Sequence, residues 1–193
     1  MTAIKRLCVY CASSRGVQES YRSAAVALGT SIADAGIELV YGGGRVGLMG
    51  LIADAALARN GRVTGVIPGH LHDREVAHPN ARLVVVASMH ERKQRMFDLA
   101  DAFVALPGGL GTLDETIEIV TWKQLGLHDK PIVILDIERY WAPLLALVEH
   151  TIAHGFAAPA ARDFFRRVSR VEEVLPCLGT MPEPRIAGDS RLA

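Results

Sequence analysis

The feature of this 193-residue chain that most restricts its fold is a regular alternation of two kinds of segment. Short runs that are apolar at nearly every position, such as residues 102–106 (AFVAL), alternate with longer segments whose apolar residues recur every three to four positions. Runs without a polar face suit strands covered on both sides, and the longer segments are typical of amphipathic helices. The pattern predicts a doubly wound, Rossmann-like α/β fold, in which helices cover both faces of a parallel sheet.

This pattern can be assigned along the whole chain. The predicted strands are residues 6–12, 38–41, 62–67, 83–87, 102–106 and 131–135, with a further candidate at 167–169. The predicted helices are residues 20–35, 48–60, 89–100, 113–125 and 140–154, with shorter helical patterns at 160–164 and 171–178. Residues 70–81 are predicted to be irregular. We expect one α/β domain over residues 1–181 and a disordered tail over residues 182–193.

Composition narrows the function classes. The 21 acidic and 21 basic residues balance, so no net charge favours nucleic acid or an anionic membrane as a partner. No apolar run approaches the roughly 20 residues of a membrane span. The three cysteines are an odd number for a chain of this length, which favours reduced thiols and a cytoplasmic protein.

Two groups of residues resemble metal sites only weakly. Cys8 and Cys11 both fall in the first predicted strand, where side chains three apart point to opposite faces, and no second pair completes a zinc site. We interpret them as strand residues. His150 and His154 are four apart on a predicted helix but have no third ligand near them in sequence. A loop cluster is an equally weak metal signal: His70, His72 and His78.

The stretch 107–116 (PGGLGTLDET) joins a predicted strand to a predicted helix. Glycine lets the backbone approach a ligand closely, and the free N–H groups of a helix start attract an anion such as phosphate. Thr112 can add a hydroxyl, and Glu115 can reach past the phosphate to the group that carries it. Equally, Thr112 and Glu115 have the spacing of a capping box, which binds nothing. The turn is neither a P-loop nor a complete dinucleotide fingerprint.

A second glycine turn, residues 42–47 (GGGRVG), matches the dinucleotide fingerprint between a strand and a helix. The next strand should then end in an acid, but it ends in VIPG. A close backbone approach to a smaller nucleotide, or plain helix packing, therefore fits better than a nicotinamide or flavin dinucleotide.

Arg92 and Lys93 begin a helix directly after a strand, at the same predicted edge of the sheet as the turn at 107–116. Arg92 can make a bidentate contact with phosphate or with a nucleoside. On spacing alone, a solvated basic helix face is the favoured interpretation.

Taken together, YGGGxxGLMG at 41–50, MHxRK at 89–93 and PGGxGTxxE at 107–115 resemble the Lonely Guy (LOG) family. CASS at 11–14 and TWxQLG at 121–126 add to a resemblance that covers residues 6–178. A slightly shortened loop around residues 73–82 departs from the family pattern.

The resemblance implies a nucleotide-binding enzyme that hydrolyses the N-glycosidic bond of nucleoside 5′-monophosphates. Cytokinin riboside 5′-monophosphates, and AMP, would give the free base and ribose 5-phosphate, without a metal or cofactor. The implied catalytic pair is Arg92 and Glu115. The implied substrate contacts are Ser14, Gly43, Glu75, Met89, Arg92, Lys93, Gly109, Leu110, Gly111, Thr112, Leu113, Asp114, Glu115 and Thr121. The resemblance also implies a homodimer with the site near its interface.

Three other functions stay open at this stage. Sequences that resemble this one are often labelled lysine decarboxylases, but pyridoxal phosphate needs a lysine, and Lys93 alone of the four lysines lies near the predicted site. A non-enzymatic nucleotide-binding module would use the same glycine turns without Arg92 or Glu115. A nicotinamide dehydrogenase is weakened by the missing acid.

Overall fold

The computed structural model describes residues 4–72 and 77–181. Its centre is a seven-stranded sheet in the order β4-β3-β2-β1-β5-β6-β7, in which every pair is parallel. The strands are β1 (Arg6–Tyr10), β2 (Glu38–Tyr41), β3 (Val63–Pro68), β4 (Arg82–Val86), β5 (Ala102–Ala105), β6 (Ile132–Leu135) and β7 (Arg166–Val168). The predicted fold class is confirmed.

Helices connect successive strands. They are α1 (Glu19–Asp34), α2 (Gly47–Ala58), α3 (Gly69–His72), α4 (Met89–Leu99), α5 (Leu110–Gln124), α6 (Ala142–Ala153) and α7 (Val174–Thr180). Short 3-10 turns occur at Ile137–Arg139, Pro159–Asp163 and Val171–Glu173. Within residues 4–72 and 77–181, none of these helices has the length and apolar character that a membrane crossing needs.

The sheet separates two apolar cores, as the period of two along a strand requires. Leu7 and Val9 of β1 belong to the core beneath α1, α2 and α7, and Cys8 and Tyr10 belong to the core beneath α4, α5 and α6. Covering both faces explains why β1 and β5 read as continuous apolar runs.

The order of the strands fixes where a site can form. The chain builds β1 to β4 in one direction and then returns to place β5 on the free side of β1. The connections that follow β1 and β5 therefore diverge to opposite faces of the sheet and leave a crevice beyond the carboxyl ends of these strands.

Several predicted boundaries need correction. The first strand ends at Tyr10 rather than at residue 12, because the carbonyl of Ala12 accepts hydrogen bonds from the N–H groups of Leu48 and Met49 at the start of α2. Residues 70–72, the start of the segment predicted to be irregular, belong to the single helical turn α3 (Gly69–His72). The predicted disordered tail at 182–193 lies outside the described residues.

Candidate active site

A cavity of about 410 Å³ occupies this crevice. The segment after β1, Gly42 after β2, the first turns of α4, and the glycine turn that starts α5 supply most of its wall. Its lining consists of Val9, Tyr10, Cys11, Ala12, Ser13, Ser14, Gly42, Met49, Leu71, Met89, Arg92, Met96, Gly109, Leu110, Gly111, Thr112 and Glu115. The three motifs that lie far apart in sequence therefore meet around one space.

Arg92 is held rigidly in the floor of the cavity. The residue is only 8% exposed, its Nε donates a hydrogen bond to the carbonyl of Val66 at 3.1 Å, and its Nη2 donates to the carbonyl of Gly42 at 3.0 Å. A Cβ at position 42 would overlap this Nη2 atom, so glycine is required there for the contact. The solvated basic face favoured by spacing alone is thus wrong for Arg92.

Glu115 faces Arg92 across the cavity. It lies in the second turn of α5, is 9% exposed, and places Oε1 at 3.7 Å from Nη1 of Arg92. This separation is too long for a hydrogen bond and short enough for a strong attraction between opposite charges. One buried carboxylate and one buried guanidinium therefore face each other in a cavity with room for a ligand.

Burial raises the pKa of the Glu115 carboxyl from 4.5 to about 7. The guanidinium of Arg92 is the main group that opposes this rise, and the carboxylate of Asp114 adds to it. A carboxyl with a pKa near neutrality can exchange protons at physiological pH, as general acid–base catalysts do.

The capping-box alternative for Thr112 and Glu115 is contradicted. The helix α5 begins at Leu110, and its N-cap residue is Gly109, which has no side chain to form the reciprocal bonds. Thr112 lies inside the first turn, where its carbonyl accepts a hydrogen bond from the hydroxyl of Thr116 at 2.6 Å. A helix start with no side-chain cap leaves its first N–H groups available to an anion in the cavity.

Tyr140 holds the glycine turn at 107–111 in place through a hydrogen bond. The hydroxyl of Tyr140 donates a hydrogen bond of 2.6 Å to the carbonyl of Gly108. Two residues in the left-handed region precede it, Glu138 with φ 52° and Arg139 with φ 60°. Consecutive non-glycine residues in this region are strained, so packing must hold Tyr140 in place against that strain.

Lys93 does not line the cavity. Its Nζ forms ion pairs with Asp114 at 3.1 Å and Glu118 at 2.9 Å, and so joins α4 to α5. This pair of contacts explains why its side chain is only 14% exposed although the residue lies outside the cavity.

The structure brings most of the predicted site residues together. Those that line the cavity are Ser14, Met89, Arg92, Gly109, Leu110, Gly111, Thr112 and Glu115. Those that lie elsewhere are Gly43, Lys93, Leu113, Asp114 and Thr121. Gly43 is buried against Ile67, Leu113 packs into the core, and Thr121 is exposed on α5. Glu75 lies outside the described residues.

Sequence reasoning missed part of the wall. Cys11 is predicted to lie in the first strand, but it follows β1, is buried and lines the cavity. Met49, Leu71 and Met96 also line the cavity. The position of β1 at the centre of the sheet was the available signal, because residues after a central strand reach the crevice. The methionines carry no comparable signal, since their spacing is that of ordinary core residues.

The weak metal signals gain no support. His78 is buried and its Nε2 lies 2.9 Å from Oδ1 of Asp54, and His150 and His154 are both exposed on α6. Across residues 4–72 and 77–181, no group of three or more His, Cys, Asp or Glu side chains is arranged to hold a metal ion. All three cysteines are free.

Comparison with known proteins decides the family. The family model described as "Possible lysine decarboxylase" matches residues 49–178. Cytokinin riboside 5′-monophosphate phosphoribohydrolase LOG1 of Arabidopsis thaliana is 45% identical over 172 residues, which cover 89% of this chain and 81% of that protein. The corresponding LOG protein of Oryza sativa subsp. japonica is 44% identical over 183 residues, covering 89% of this chain and 74% of the relative.

The chain belongs to the LOG family. These curated LOG relatives are phosphoribohydrolases, that is, hydrolases acting on N-glycosyl bonds. Three of the motifs that first indicated the family, at 41–50, 89–93 and 107–115, each contribute residues to the cavity wall.

Solved structures of lower identity confirm the fold. The molybdenum cofactor binding protein from Rippkaea orientalis has a TM-score of 0.69 at 18% identity and covers 93% of this chain and 98% of its own. The molybdenum cofactor carrier protein from Chlamydomonas reinhardtii has a TM-score of 0.67 at 18% identity, covering 92% and 97%. At this identity, the likeness shows a shared fold alone.

Proposed function

We propose that this chain hydrolyses the N-glycosidic bond of nucleoside 5′-monophosphates, with cytokinin riboside 5′-monophosphates and AMP as substrates. The products are the free adenine-type base and ribose 5-phosphate. The observation that carries the proposal is the buried carboxylate of Glu115, 3.7 Å from Arg92, in a cavity whose rim is an uncapped helix start. LOG relatives more than 40% identical carry the corresponding activity in their names.

The phosphate belongs at the start of α5. The first N–H groups of a helix have no partner inside the helix, and the dipole of the 15-residue α5 favours negative charge at this end. Gly109 and Gly111 leave the space above the backbone open, since a Cβ at either position would meet nothing within 4 Å. A phosphate can therefore approach the backbone closely at these two residues.

Glu115 acts on the ribose of the substrate. With the phosphate on the first turn of α5, its side chain, one turn further along the helix, faces the ribose. Cleavage of a ribosyl bond passes through an oxocarbenium-like state, which a nearby carboxylate stabilises. The same carboxylate orients the attacking water and accepts its proton, a role that suits a pKa of about 7.

Arg92 acts on both the departing base and the Glu115 carboxylate. Two backbone carbonyls fix its guanidinium, so its remaining donors point from a fixed origin into the cavity. Its positive charge favours the negative charge that develops on the departing base and holds part of the Glu115 population ionised. Of the other predicted substrate contacts, Ser14, Met89, Gly109, Leu110, Gly111 and Thr112 line the cavity around this pair.

A lysine decarboxylase, the description carried by the family model, does not fit the site. Pyridoxal phosphate requires a lysine that can form a Schiff base inside the pocket. The cavity lining includes no lysine among the described residues, and Lys93 is held by Asp114 and Glu118 outside it. A nucleotide-binding module without catalysis would leave the buried Arg92–Glu115 pair without a purpose.

We also propose a homodimer that docks through the outer face of α5. Leu110, Ile117 and Leu125 are exposed apolar residues on one face of α5, which also carries the exposed Asp114 and Thr121 and begins at the cavity rim. An apolar stripe of this kind is typical of an association surface. It would place Thr121, far from the cavity of its own chain, beside a second copy.

The dimer can be tested separately from catalysis. Ile117→Asp should convert the protein to a monomer in light-scattering measurements, whereas Leu147→Asp, on the exposed side of α6, should not. A dimer that survives Ile117→Asp would place the interface elsewhere.

We infer a cytoplasmic location from the free thiols. Cys8, Cys11 and Cys177 form no disulfide, which suits a reducing compartment. Fractionation of cells that produce the tagged protein, with compartment markers as controls, tests the location.

The activity test is direct. Purified protein is incubated with AMP, with isopentenyladenosine 5′-monophosphate, and with the two nucleosides that lack phosphate, and the products are separated by chromatography. Base release from the monophosphates alone is the expected result. Cleavage of the nucleosides at equal rates would contradict the phosphate site, and release of no base from any substrate would contradict the function.

Glu115→Gln isolates the catalytic role. The amide keeps the size of the side chain but cannot act as a base or stabilise a cation, so base release should fall by at least about a hundred-fold. Glu149→Gln, an exposed substitution that breaks an ion pair with Arg162, is the matched control and should retain activity. Near-normal turnover by folded Glu115→Gln would leave Glu115 without a catalytic role.

A further inference from the structure

A second cavity lies on the opposite side of the sheet from α4 and α5. It has a volume of about 340 Å³ and lies between α1, α2 and the two segments that lead into them. Three arginines line it: Arg15 after β1, Arg22 on α1 and Arg45 just before α2. No residue of the site described above is among its lining, so the catalytic chemistry does not account for it.

The charges around this cavity are poorly balanced. Arg22 pairs with Glu19 at 3.1 Å, a contact made on the surface by a carboxylate that is 81% exposed. Arg15 and Arg45 form no ion pair or hydrogen bond through their side chains within residues 4–72 and 77–181. The one carboxylate in the lining, Asp54, is engaged by Nε2 of His78 at 2.9 Å.

The backbone that presents two of these arginines is rigid. Gly47, at φ 65°, packs so closely on the segment before Arg15 that a Cβ there would lie 2.6 Å from backbone atoms of Ser13 and Ser14. A Cβ on Gly50 would overlap the carbonyl of Arg45. The backbone origins of Arg15 and Arg45 are therefore fixed on either side of the cavity, which lowers the entropy lost when both bind one ligand.

Three guanidinium groups line this one cavity beside the single carboxylate of Asp54, and only Arg22 has a carboxylate partner of its own, Glu19. This excess of positive charge attracts an anion. Guanidinium forks match phosphate oxygens in geometry as well as charge, and the volume suits a small molecule. We propose that Arg15, Arg22 and Arg45 form a second anion site, which binds the phosphate group of a small phosphorylated metabolite or free phosphate. Ser13 and Ser14 adjoin Arg15 and line the catalytic cavity, so an anion bound here would also restrain that wall.

Phosphate-binding stoichiometry tests this site. Equilibrium dialysis with radiolabelled inorganic phosphate should detect two phosphates per wild-type chain, one at α5 and one between the arginines. Arg15→Gln/Arg45→Gln should remove one of the two or weaken it by at least about ten-fold. Arg59→Gln/Arg162→Gln removes the same amount of charge from exposed arginines elsewhere and should bind as the wild type does.

The same assay separates this proposal from the proposed function. If α5 binds no phosphate, the wild type should bind one and Arg15→Gln/Arg45→Gln none, and the arginine site stands. If wild type and Arg15→Gln/Arg45→Gln bind equally in number and affinity, the arginine site is overturned. Repeating the dialysis with AMP on Glu115→Gln distinguishes the two ligands proposed for the arginine site. Binding of two AMP molecules per chain indicates that the site accepts a nucleotide. Binding of one AMP but two inorganic phosphates per chain indicates that it accepts the free anion.

Discussion

The two glycine turns look alike in sequence and differ in what surrounds them. In the turn at 42–47, a Cβ on Gly42 would overlap Arg92, and one on Gly47 would lie 2.6 Å from the backbone of the β1–α1 connection. In the turn at 107–111, a Cβ on Gly108 would overlap Thr112, but Gly109 and Gly111 have nothing within 4 Å of the position that a Cβ would take. The first turn therefore needs glycine for packing inside the protein, and the second leaves room for a ligand.

This difference changes what each turn tells about function. The first turn matches the better-known nucleotide fingerprint, yet its role is to seat α2 and to let Gly42 bind Arg92. The second matches no complete phosphate motif, yet it is open, uncapped and next to Glu115. Contact geometry, rather than motif completeness, shows which glycine turn faces a ligand.

The largest expected effect is on the packed turn. Gly47→Ala should lower the free energy of unfolding by about 2–5 kcal/mol, because a side chain is forced both into the left-handed region and against backbone atoms. Chemical denaturation followed by circular dichroism measures this loss. A Gly47→Ala protein as stable as the wild type would show that the turn at 42–47 does not require glycine for packing.

The next effect concerns the carboxyl beside the open turn. Glu115 has a pKa of 4.5 when ordinarily exposed and about 7 when folded, so the folded protein holds its proton more tightly than the unfolded chain does. The stability from this group is complete below about pH 4.5 and is lost as pH rises through about 7, by up to about 3 kcal/mol. The wild type should therefore lose stability relative to Glu115→Gln between pH 5 and pH 8.

Denaturation midpoints of the two proteins at several pH values measure that relative change. Glu149→Gln should run parallel to the wild type over the same range. A constant difference between wild type and Glu115→Gln would show that Glu115 titrates in the folded protein as it does in the unfolded one.

Gly111→Ala should separate stability from activity at the open turn. Alanine is favoured over glycine in a helix, so the free energy of unfolding should stay level or rise by up to about 1 kcal/mol. The added methyl group occupies the space proposed for phosphate, so KM for AMP should rise roughly ten- to a hundred-fold. An unchanged KM with AMP would place the phosphate away from Gly111.

The smallest effect should come from Tyr140→Phe. The variant keeps the ring packing and removes the hydrogen bond to the Gly108 carbonyl, which amounts to about 1 kcal/mol. KM for AMP should rise about five-fold, with a smaller change in kcat, because the turn that binds phosphate is less well held. Tyr21→Phe, whose ring packs edge-on against Tyr140, is the control and should behave as the wild type.

The fold was readable from sequence because it depends on local patterns. Apolar runs and helical spacing repeat along the chain, and their order alone indicates a parallel sheet with its site at the strand ends. The predicted end of the first strand was wrong where a distant partner intervenes: β1 ends at Tyr10, and the carbonyl of Ala12 caps α2 instead of continuing the strand. The glycine turn at 107–111 was found for the same local reason, by its position between a strand and a helix.

The burial and protonation of the key side chains in the site could not be predicted from local sequence patterns. Arg92 looks like a solvated residue in its helix, and it is buried because Val66 and Gly42, 26 and 50 positions away, supply carbonyl acceptors. Thr112 and Glu115 fit a capping box on spacing, but α5 begins two residues before Thr112. The raised pKa of Glu115 likewise follows from burial by several segments, which no local pattern encodes.

The most direct test of the account is a crystal structure of Glu115→Gln soaked with AMP. The account predicts the phosphate on the N–H groups of Gly111 and Thr112, with the side chain at position 115 facing the sugar carbon that carries the base. A phosphate bound elsewhere, or a side chain at position 115 turned away from the sugar, would contradict it.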